Sequence, residues 1–258
     1  DADQNKDGDF LTHDERYART DEYVEVLRRI WTADKPVDHK GRYYAFRRSW
    51  SEVKPIQKPH PPIYFSGSSD AAIAIAGKHA DVYALWGEPL AEAAATIARV
   101  RAAAAQHGRK VLFSLSMRPI LAPSEGEAWT RARRIIETIR ETGGHAMLGA
   151  PSKTPQNVGS QRLLAAAAKG EVLDRRLWTA VAAATGARGN TTALVGTAEQ
   201  VAESLLAYYE LGVSTFLIRS FDPLEDAIDY GRELIPMVRK EIARREEASS
   251  VAPRSVAG

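Results

Sequence analysis

From residue 63 onward, short apolar segments with strand-forming side chains alternate with longer helical segments. This order is typical of parallel strands joined by crossover helices, so the sequence predicts an α/β fold. Two of the predicted helices begin with a capping box, at Ser124 and at Thr197. The predicted strands cover residues 63–65, 81–85, 110–121 and 214–219, and the predicted helices cover residues 70–78, 90–106, 124–142, 197–211 and 223–244.

Length and composition narrow the class of protein. With 258 residues the chain can form one large domain or two small ones. Its formal net charge of +2 gives no charge-driven attraction to nucleic acid or to a membrane surface, so neither is an expected partner. Cysteine is absent, which excludes disulfides, thiolate metal sites and a cysteine nucleophile within this chain and fits a cytoplasmic protein.

The turn after the first of these strands is the strongest local candidate for a binding site. Gly67 and Ser68 belong to a small-residue turn, and Ser69 is placed to cap the helix that opens at Asp70. Free N–H groups and the positive end of the helix dipole would converge at Ser68 and Ser69, which predicts a site for a phosphate or another anion. The alternative is an ordinary N-cap on an ordinary βα turn.

An earlier helix, predicted from residue 14 to about residue 32, offers a second polar pair. His13 and Tyr17 are four residues apart at its start, so they share a face at the dipole-positive end, and both can hydrogen-bond an anion. The alternative is a histidine cap beside a half-buried tyrosine.

The first 15 residues resemble a calcium-binding EF-hand loop. Two features oppose a calcium site: no entering helix is predicted before the loop, and Asp14 occupies the position where the bidentate ligand is usually glutamate. We therefore favour a solvated acidic turn and predict no metal site. The residues at ligand-like offsets are Asp3, Asn5, Asp7, Gly8 and Asp14.

Two segments interrupt the alternation, and each has a predicted role. Residues 33–60 are predicted to be an excursion at the edge of the fold, with a hairpin turn at Lys40 and Gly41. Residues 143–190, which include an amphipathic piece at 162–168, are predicted to be a mobile insertion or lid. Arg188 is flanked by glycines near the end of this insertion, where it is either a functional cation or a solvent-exposed arginine in a linker.

The long strand at residues 110–121 carries a further cation. Because side chains alternate between the faces of a strand, Ser114, Ser116 and Arg118 share one face. An arginine beside two serines near a strand end suits anion binding better than core packing. Trp86, just past another strand's end, is predicted to line a pocket, with a structural aromatic as the alternative.

Five stretches together resemble the bacterial luciferase-like flavin monooxygenases, and within them the FMNH2-dependent alkanesulfonate monooxygenases. They are HDERYARTDEYVEVLRRIW (13–31), PPIYFSGSSDAA (61–72), DVYALWGEP (81–89), RGNTTALVG (188–196) and GVSTFLIRSFDPLEDAIDYGRELIP (212–236). The resemblance implies a TIM barrel, reduced FMN (FMNH2) supplied by a separate flavin reductase, and O2 as oxidant. It also implies a small-molecule sulfonate that is cleaved to sulfite and an aldehyde, in an enzyme that is a homo-oligomer.

The resemblance assigns roles to individual residues. His13 and Tyr17 match the family's HxxxY pair, and Ser68 and Ser69 match the serines of its GSS turn; together with Gly67 they would hold the flavin phosphate. Arg188 matches the arginine of the family's mobile loop. The chain departs from the sulfonate pattern at three positions, where a family arginine, histidine and tyrosine are replaced by Ser116, Arg118 and Phe221.

The resemblance also implies that, in the family's fold, about four βα units precede the part that matches this chain. We therefore expect only about strands five to eight of the barrel, in one domain at residues 1–246 followed by a disordered tail at 247–258. Half a barrel leaves unpaired sheet edges, so either the full protein is longer or a partner closes the barrel.

The sequence thus predicts the C-terminal portion of a two-component FMNH2-dependent monooxygenase acting on a small organosulfur compound, with Arg118 and Arg188 as its catalytic cations. A deazaflavin-dependent oxidoreductase of the same fold, a non-catalytic flavin- or anion-binding half-barrel and a calcium-regulated module are the alternatives.

Overall fold

The computed structural model describes residues 2–142 and 155–251. The chain divides into two compact units, one formed by Asp1–Ala84 with Thr96–Leu112 and the other by Leu85–Ala95 with Phe113–Gly258. Within the described part of the chain, no helix has the length and the apolar content that crossing a membrane requires.

The first unit contains the N-terminal helices, a β-hairpin and a parallel strand pair. Its elements are α1 (Ala2–Lys6), α2 (His13–Thr32), β1 (Val37–Lys40), β2 (Ala45–Ser49), β3 (Tyr64–Phe65) and α3 (Asp70–His79), with parts of β4 (Val82–Trp86) and α4 (Leu90–Ala105). Strands β3 and β4 are parallel, as the alternation predicts. Strand β4 and helix α4 each continue into the second unit.

The hairpin of β1 and β2 confirms the turn predicted at Lys40 and Gly41. One half-buried carboxylate organises this turn. Glu22 on α2 accepts hydrogen bonds from the backbone N–H groups of Tyr43 and Tyr44, both at 2.9 Å. A Cβ added at Gly41 would lie 1.9 Å from a Glu22 carboxylate oxygen, so only glycine leaves room for this contact.

The second unit is built around the long strand β5 (Leu112–Leu121). Its later half pairs in parallel with β8, with Arg118 opposite Ala193, and its earlier half pairs in parallel with β9, with Ser114 opposite Thr215. The other elements are α5 (Glu125–Glu141), α6 (Val158–Lys169), β6 (Val172–Leu173), β7 (Leu177–Trp178), α7 (Ala180–Thr185), β8 (Ala193–Gly196), α8 (Ala198–Glu210), β9 (Val213–Ile218), α9 (Pro223–Asp229), a π-helical turn (Tyr230–Leu234) and α10 (Ile235–Val251).

Every predicted strand and helix of the alternation is present, most with ends displaced by one or two residues. The exception is the helix predicted at 223–244, which is divided into α9 and α10 by the π-helical turn and continues to Val251. The capping box at Thr197 is complete, and the Ser124 hydroxyl accepts from the backbone N–H of Glu127. The return bond of a capping box is not formed at Ser124, whereas a complete capping box that the sequence analysis did not predict begins α2 at Thr12. The buried core of the second unit joins β5 and β8 to α5 and α7 through Ile120, Ala128, Ala132, Ile136, Trp178, Val181, Ala193 and Val195.

Residues 155–190, within the predicted insertion, form α6, β6, β7 and α7. Arg162 on α6 makes a two-pronged ion pair with the buried Glu88, with both N–H···O distances at 2.6 Å. Residues 143–154 and 252–258 lie outside the described residues, and a lid function for this segment stays a prediction.

The EF-hand-like segment begins with the short helix α1, and its ordered contacts include those of Asp9, which is not at a ligand-like offset. Asp9 pairs with Arg19 at 2.5 Å and accepts from the backbone N–H of Leu11. In residues 2–142 and 155–251, no group of three or more His, Cys, Asp or Glu residues could hold a metal ion.

A buried histidine links α2 to the end of α3. His79 is only 4% exposed; its Nε2 contacts a carboxylate oxygen of Asp21 at 2.5 Å, and its Nδ1 lies 3.3 Å from Arg28. Lys78 binds the same aspartate. Burial lowers the pKa of His79, partly opposed by the hydrogen bond to Asp21, so the folded state takes up a proton less readily than the unfolded chain.

We therefore expect stability to fall as the pH drops. The contribution of His79 is fully present above the unfolded pKa of about 6.5 and is lost as the pH falls from there toward the lowered folded pKa. Urea unfolding from about pH 7.5 to about pH 5.5 should show this decline in the free energy of unfolding. His79→Gln should flatten it, whereas replacement of the exposed His107 by glutamine should leave it unchanged; equal slopes in all three proteins would contradict the assignment.

Candidate active site

The small-residue turn after β3 has a backbone that only glycine adopts readily. Gly67 has φ +137°, and a Cβ at this position would lie 2.7 Å from the Cβ of Ala72 and 3.1 Å from the hydroxyl oxygen of Tyr17. The hydroxyl of Tyr83 donates to the Gly67 carbonyl at 2.5 Å. Neighbours on α2 (Tyr17), β4 (Tyr83) and α3 (Ala72) thus fix the shape of this turn.

Two serines follow at the start of α3. Ser69 is the N-cap, and its hydroxyl accepts from the backbone N–H of Ala72 at 3.2 Å. The half-buried Ser68 has no hydrogen-bond partner for its hydroxyl among the described residues. The positive end of the helix and a hydroxyl available as donor therefore lie at adjacent positions, an arrangement that suits a phosphate.

The histidine and tyrosine predicted to share a face of α2 are in contact. The ring centroids of His13 and Tyr17 are 4.9 Å apart, in an edge arrangement. The His13 Nδ1 pairs with Asp14 at 2.8 Å, which leaves Nε2 as the ring nitrogen for a ligand. Because the Tyr17 hydroxyl borders Gly67, the structure brings the first turn of α2 to the turn after β3. These predicted cofactor residues therefore lie in one part of the first unit.

In the second unit, Arg118 is a half-buried cation without an acidic partner among the described residues. Its Nε donates to the Asn190 carbonyl at 3.3 Å and its Nη1 donates to the Ser220 carbonyl at 2.7 Å. Its guanidinium lies over the ring of Phe221, 5.1 Å from the centroid. Burial, and then the charge of Arg219, lower the pKa of Arg118. A cation held only by neutral carbonyls and an aromatic ring suits an anionic ligand.

Arg188 lies in a strained loop after α7. The residues around it have positive φ: Gly186 at +67°, Ala187 at +51° and Gly189 at +86°. The N–H of Ala187 donates to the Ala182 carbonyl at 2.8 Å, which ties the loop to the helix. Arg188 itself is half-buried. Glycine adopts such angles readily, so of these three residues only Ala187 carries backbone strain of the kind that is found at functional sites.

Asn190 is the residue of this region that sequence reasoning missed. It is 2% exposed; its Oδ1 accepts from the Gly87 N–H at 3.2 Å and its Nδ2 donates to the Ser116 carbonyl at 2.5 Å. The available signal was the polar run from Asn190 to Thr192 directly before an apolar strand. In the structure all three residues are buried, and the side chains of Asn190 and Thr192 are hydrogen-bonded, as most buried polar groups are.

Two positions singled out in the sequence analysis remain, Trp86 and Ser116. Trp86 packs against α6: a Cβ added at Gly159 would lie 2.9 Å from its ring. This contact gives Trp86 a packing role, and its cofactor role stays a prediction. The Ser116 hydroxyl is buried without a partner among the described residues, as is that of Thr191 next to Asn190.

Comparison with known proteins places this geometry in a family. The sequence model of the family described as luciferase-like monooxygenase matches residues 1–215. Riboflavin lyase (RcaE), solved with modified FMN and the substrate riboflavin, is 20% identical, with a TM-score of 0.72 over 92% of this chain and 60% of that one. DmoA from Hyphomicrobium sulfonivorans is 20% identical, with a TM-score of 0.68 over 90% of this chain and 57% of that one.

A third structure contains F420, whereas riboflavin lyase was solved with modified FMN. An F420-dependent secondary alcohol dehydrogenase, in complex with an F420–acetone adduct, is 21% identical, with a TM-score of 0.60 over 90% of this chain and 64% of that one. At these identities the structural likeness establishes the fold alone. The predicted TIM-barrel fold is confirmed, while the count of strands five to eight stays a prediction.

The chain spans less than two thirds of the length of each of these three structures. Since the family model matches most of the sequence, the chain belongs to the luciferase-like monooxygenase family.

Proposed function

We propose that this chain is part of a two-component monooxygenase that uses reduced FMN and O2 to oxidise a small anionic organosulfur compound such as an alkanesulfonate. The observation that carries the proposal is the turn at Gly67, where a glycine-only backbone, the Ser68 hydroxyl and the start of α3 adjoin Tyr17. This set of donors fits a phosphate monoester such as that of FMN.

In this proposal the residues of the first unit bind and orient the cofactor. Ser68 and the N–H groups at the start of α3 would hold the phosphate, with His13 and Tyr17 as further donors. When bound, the reduced flavin supplies the electrons for oxygen activation, and a separate flavin reductase would replenish it. Arg118 and Arg188 would hold the anionic group of the substrate through charge-assisted hydrogen bonds. We further propose a cytoplasmic homo-oligomer.

A titration tests the phosphate site without any need for a substrate. Under anaerobic conditions, the full chain is titrated with reduced FMN and with reduced riboflavin, which lacks the phosphate. Ser68→Ala should weaken FMN binding about tenfold, the loss of one charge-assisted hydrogen bond, and should leave riboflavin binding unchanged. Ser66→Ala removes an exposed hydroxyl of the same turn and should change neither affinity. Equal losses for both ligands, or no flavin binding by the wild-type chain, would overturn the assignment.

A second candidate function is hydride transfer with F420, because one structural neighbour is an F420-dependent alcohol dehydrogenase. The two functions differ in their need for O2. With FMN, a flavin reductase, NADH and hexanesulfonate, the monooxygenase should release sulfite only in the presence of O2. Reduction of F420 by a secondary alcohol without O2 would favour the second candidate. A chain that binds flavin but catalyses neither reaction would be the non-catalytic half-barrel.

A further inference from the structure

Asn190 connects its own segment to two other parts of the second unit, the turn after β4 and the strand β5. Its side chain is bound by the N–H of Gly87, after β4, and donates to the carbonyl of Ser116 on β5. Its own carbonyl accepts from the Nε of Arg118. The hydroxyl of Thr192 adds a bond to the Asn190 Oδ1 at 3.2 Å. This buried residue thus uses both polar side-chain atoms and its carbonyl, and the bonds from outside its own segment come from the turn after β4 (Gly87) and from β5 (Ser116 and Arg118).

The same residue is one end of the segment that carries Arg188. At the other end, Ala187 is fully buried, and its carbonyl accepts from the hydroxyl of Ser160 on α6. Only Arg188 and Gly189 lie between these two anchored positions. The position of Asn190 therefore restricts the backbone from which Arg188 extends.

We propose that Asn190 is a positioning residue that orients Arg118 and anchors the segment carrying Arg188. It touches neither flavin nor substrate in this proposal, and acts only through the two arginines. The inference rests on the proposed function, because the two arginines are positioned there to hold an anion. The contacts of Asn190 are the same whichever anion is bound. The competing view is that Asn190 only satisfies buried backbone groups and contributes to stability alone.

Chemical labelling separates these views without a substrate. Phenylglyoxal modifies arginine side chains, and peptide mapping gives a separate rate for each arginine. In Asn190→Ala, Arg118 should be modified about tenfold faster than in the wild-type chain, because its contact at Nε is no longer held in place. The exposed Arg232 is the internal standard. Thr192→Val is the matched control: it removes an equally buried hydroxyl that binds Asn190 and the Gly87 carbonyl but does not contact Arg118.

A titratable variant provides a second measurement. In Asn190→Asp the protonated carboxyl group can still donate to the Ser116 carbonyl, whereas the ionised group cannot and competes for Arg118. Hexanesulfonate affinity, measured by calorimetry, should therefore be about tenfold weaker than wild type at high pH and should recover as the pH falls. Thr192→Val should show no such recovery. Urea unfolding of each variant reports stability separately.

The outcomes are distinct. Faster labelling of Arg118 in Asn190→Ala but not in Thr192→Val supports positioning. Equal labelling in both variants and in the wild type overturns it, as does a parallel loss of stability and affinity in both variants. If the wild-type chain does not bind hexanesulfonate, the proposed substrate class is wrong, and the labelling alone then decides the role of Asn190.

Discussion

Replacing Gly67 with alanine is expected to abolish the binding of reduced FMN. The added methyl group would lie 2.7 Å from Ala72 at the start of α3 and 3.1 Å from the Tyr17 hydroxyl, so the turn and the helix start must move apart. The backbone angle of +137° adds strain of about 1–3 kcal/mol for any residue with a Cβ. Both effects act on the atoms proposed to hold the phosphate. Anaerobic FMN titration and urea unfolding measure the two consequences separately.

Gly126→Ala is the matched control, because it makes the same chemical change at a site with open space. A Cβ at Gly126, in the first turn of α5, meets nothing within 4 Å. There alanine should stabilise the helix by up to about 1 kcal/mol and leave flavin binding unchanged. If Gly67→Ala keeps its affinity for reduced FMN, the turn after β3 is not the phosphate site, whatever the effect on stability.

The local geometry of the candidate site in the first unit was largely predictable because its signals lie close together in the sequence. The strand, the small-residue turn and the N-cap are formed by consecutive residues, and Ser69 is the N-cap in the structure, as predicted. The four-residue spacing of His13 and Tyr17 fixes their shared helix face. What the sequence could not show is the contact between Tyr17 and Gly67, because no local rule sets the distance between α2 and a turn about 50 positions later.

In the second unit, the contacts of the candidate residues join positions that are far apart in the sequence and could not be predicted from it. Arg118 was found by strand alternation, but its partners come from Asn190 and from Ser220, which are 72 and 102 residues away. Asn190 belongs to no recognisable motif. Its contacts are with Gly87 after β4 and with Ser116 on β5, which are distant from it in the sequence. The insertion was predicted to be mobile because it is rich in small residues. The ion pair of its Arg162 with Glu88 could not be predicted, because the two residues are 74 positions apart in the sequence.

Phe221, a departure from the sulfonate pattern, has a structural consequence of its own. Where the resemblance places a tyrosine, this chain has a ring that can only stack on Arg118. A guanidinium over an aromatic face keeps its charge but gains no hydrogen-bond acceptor there. The remaining N–H groups of Arg118 are then available to a ligand, which favours an anionic substrate over a neutral one.

Replacing Asp226 with alanine should cause the largest loss of stability among the changes considered. Asp226 is 1% exposed, and one carboxylate oxygen accepts from the backbone N–H groups of Phe221 and Asp222, both at 3.0 Å. The other oxygen pairs with Arg131 of α5. Removing the carboxylate leaves two N–H groups unpaired and takes away the acidic partner of Arg131, which keeps its hydrogen bond to the Leu121 carbonyl. We expect this change to cost about 3 kcal/mol. This value is at the low end of the usual range because Arg131 is 28% exposed and water can replace part of the lost contact.

The expected loss depends on burial, and a second carboxylate in the same unit tests that dependence. Glu241 also pairs with arginines, Arg244 and Arg245, but it does so on α10, where all three side chains reach solvent. Glu241→Ala should therefore lower the free energy of unfolding far less than Asp226→Ala, since exposed ion pairs contribute little. Urea unfolding of both variants gives the comparison.

Asp226 also fixes the loop whose Ser220 carbonyl binds Arg118, so Asp226→Ala should weaken hexanesulfonate binding under conditions where the chain remains folded. Unchanged affinity in a folded Asp226→Ala protein would show that Arg118 does not need this loop, and equal destabilisation by the two changes would show that burial is not the cause.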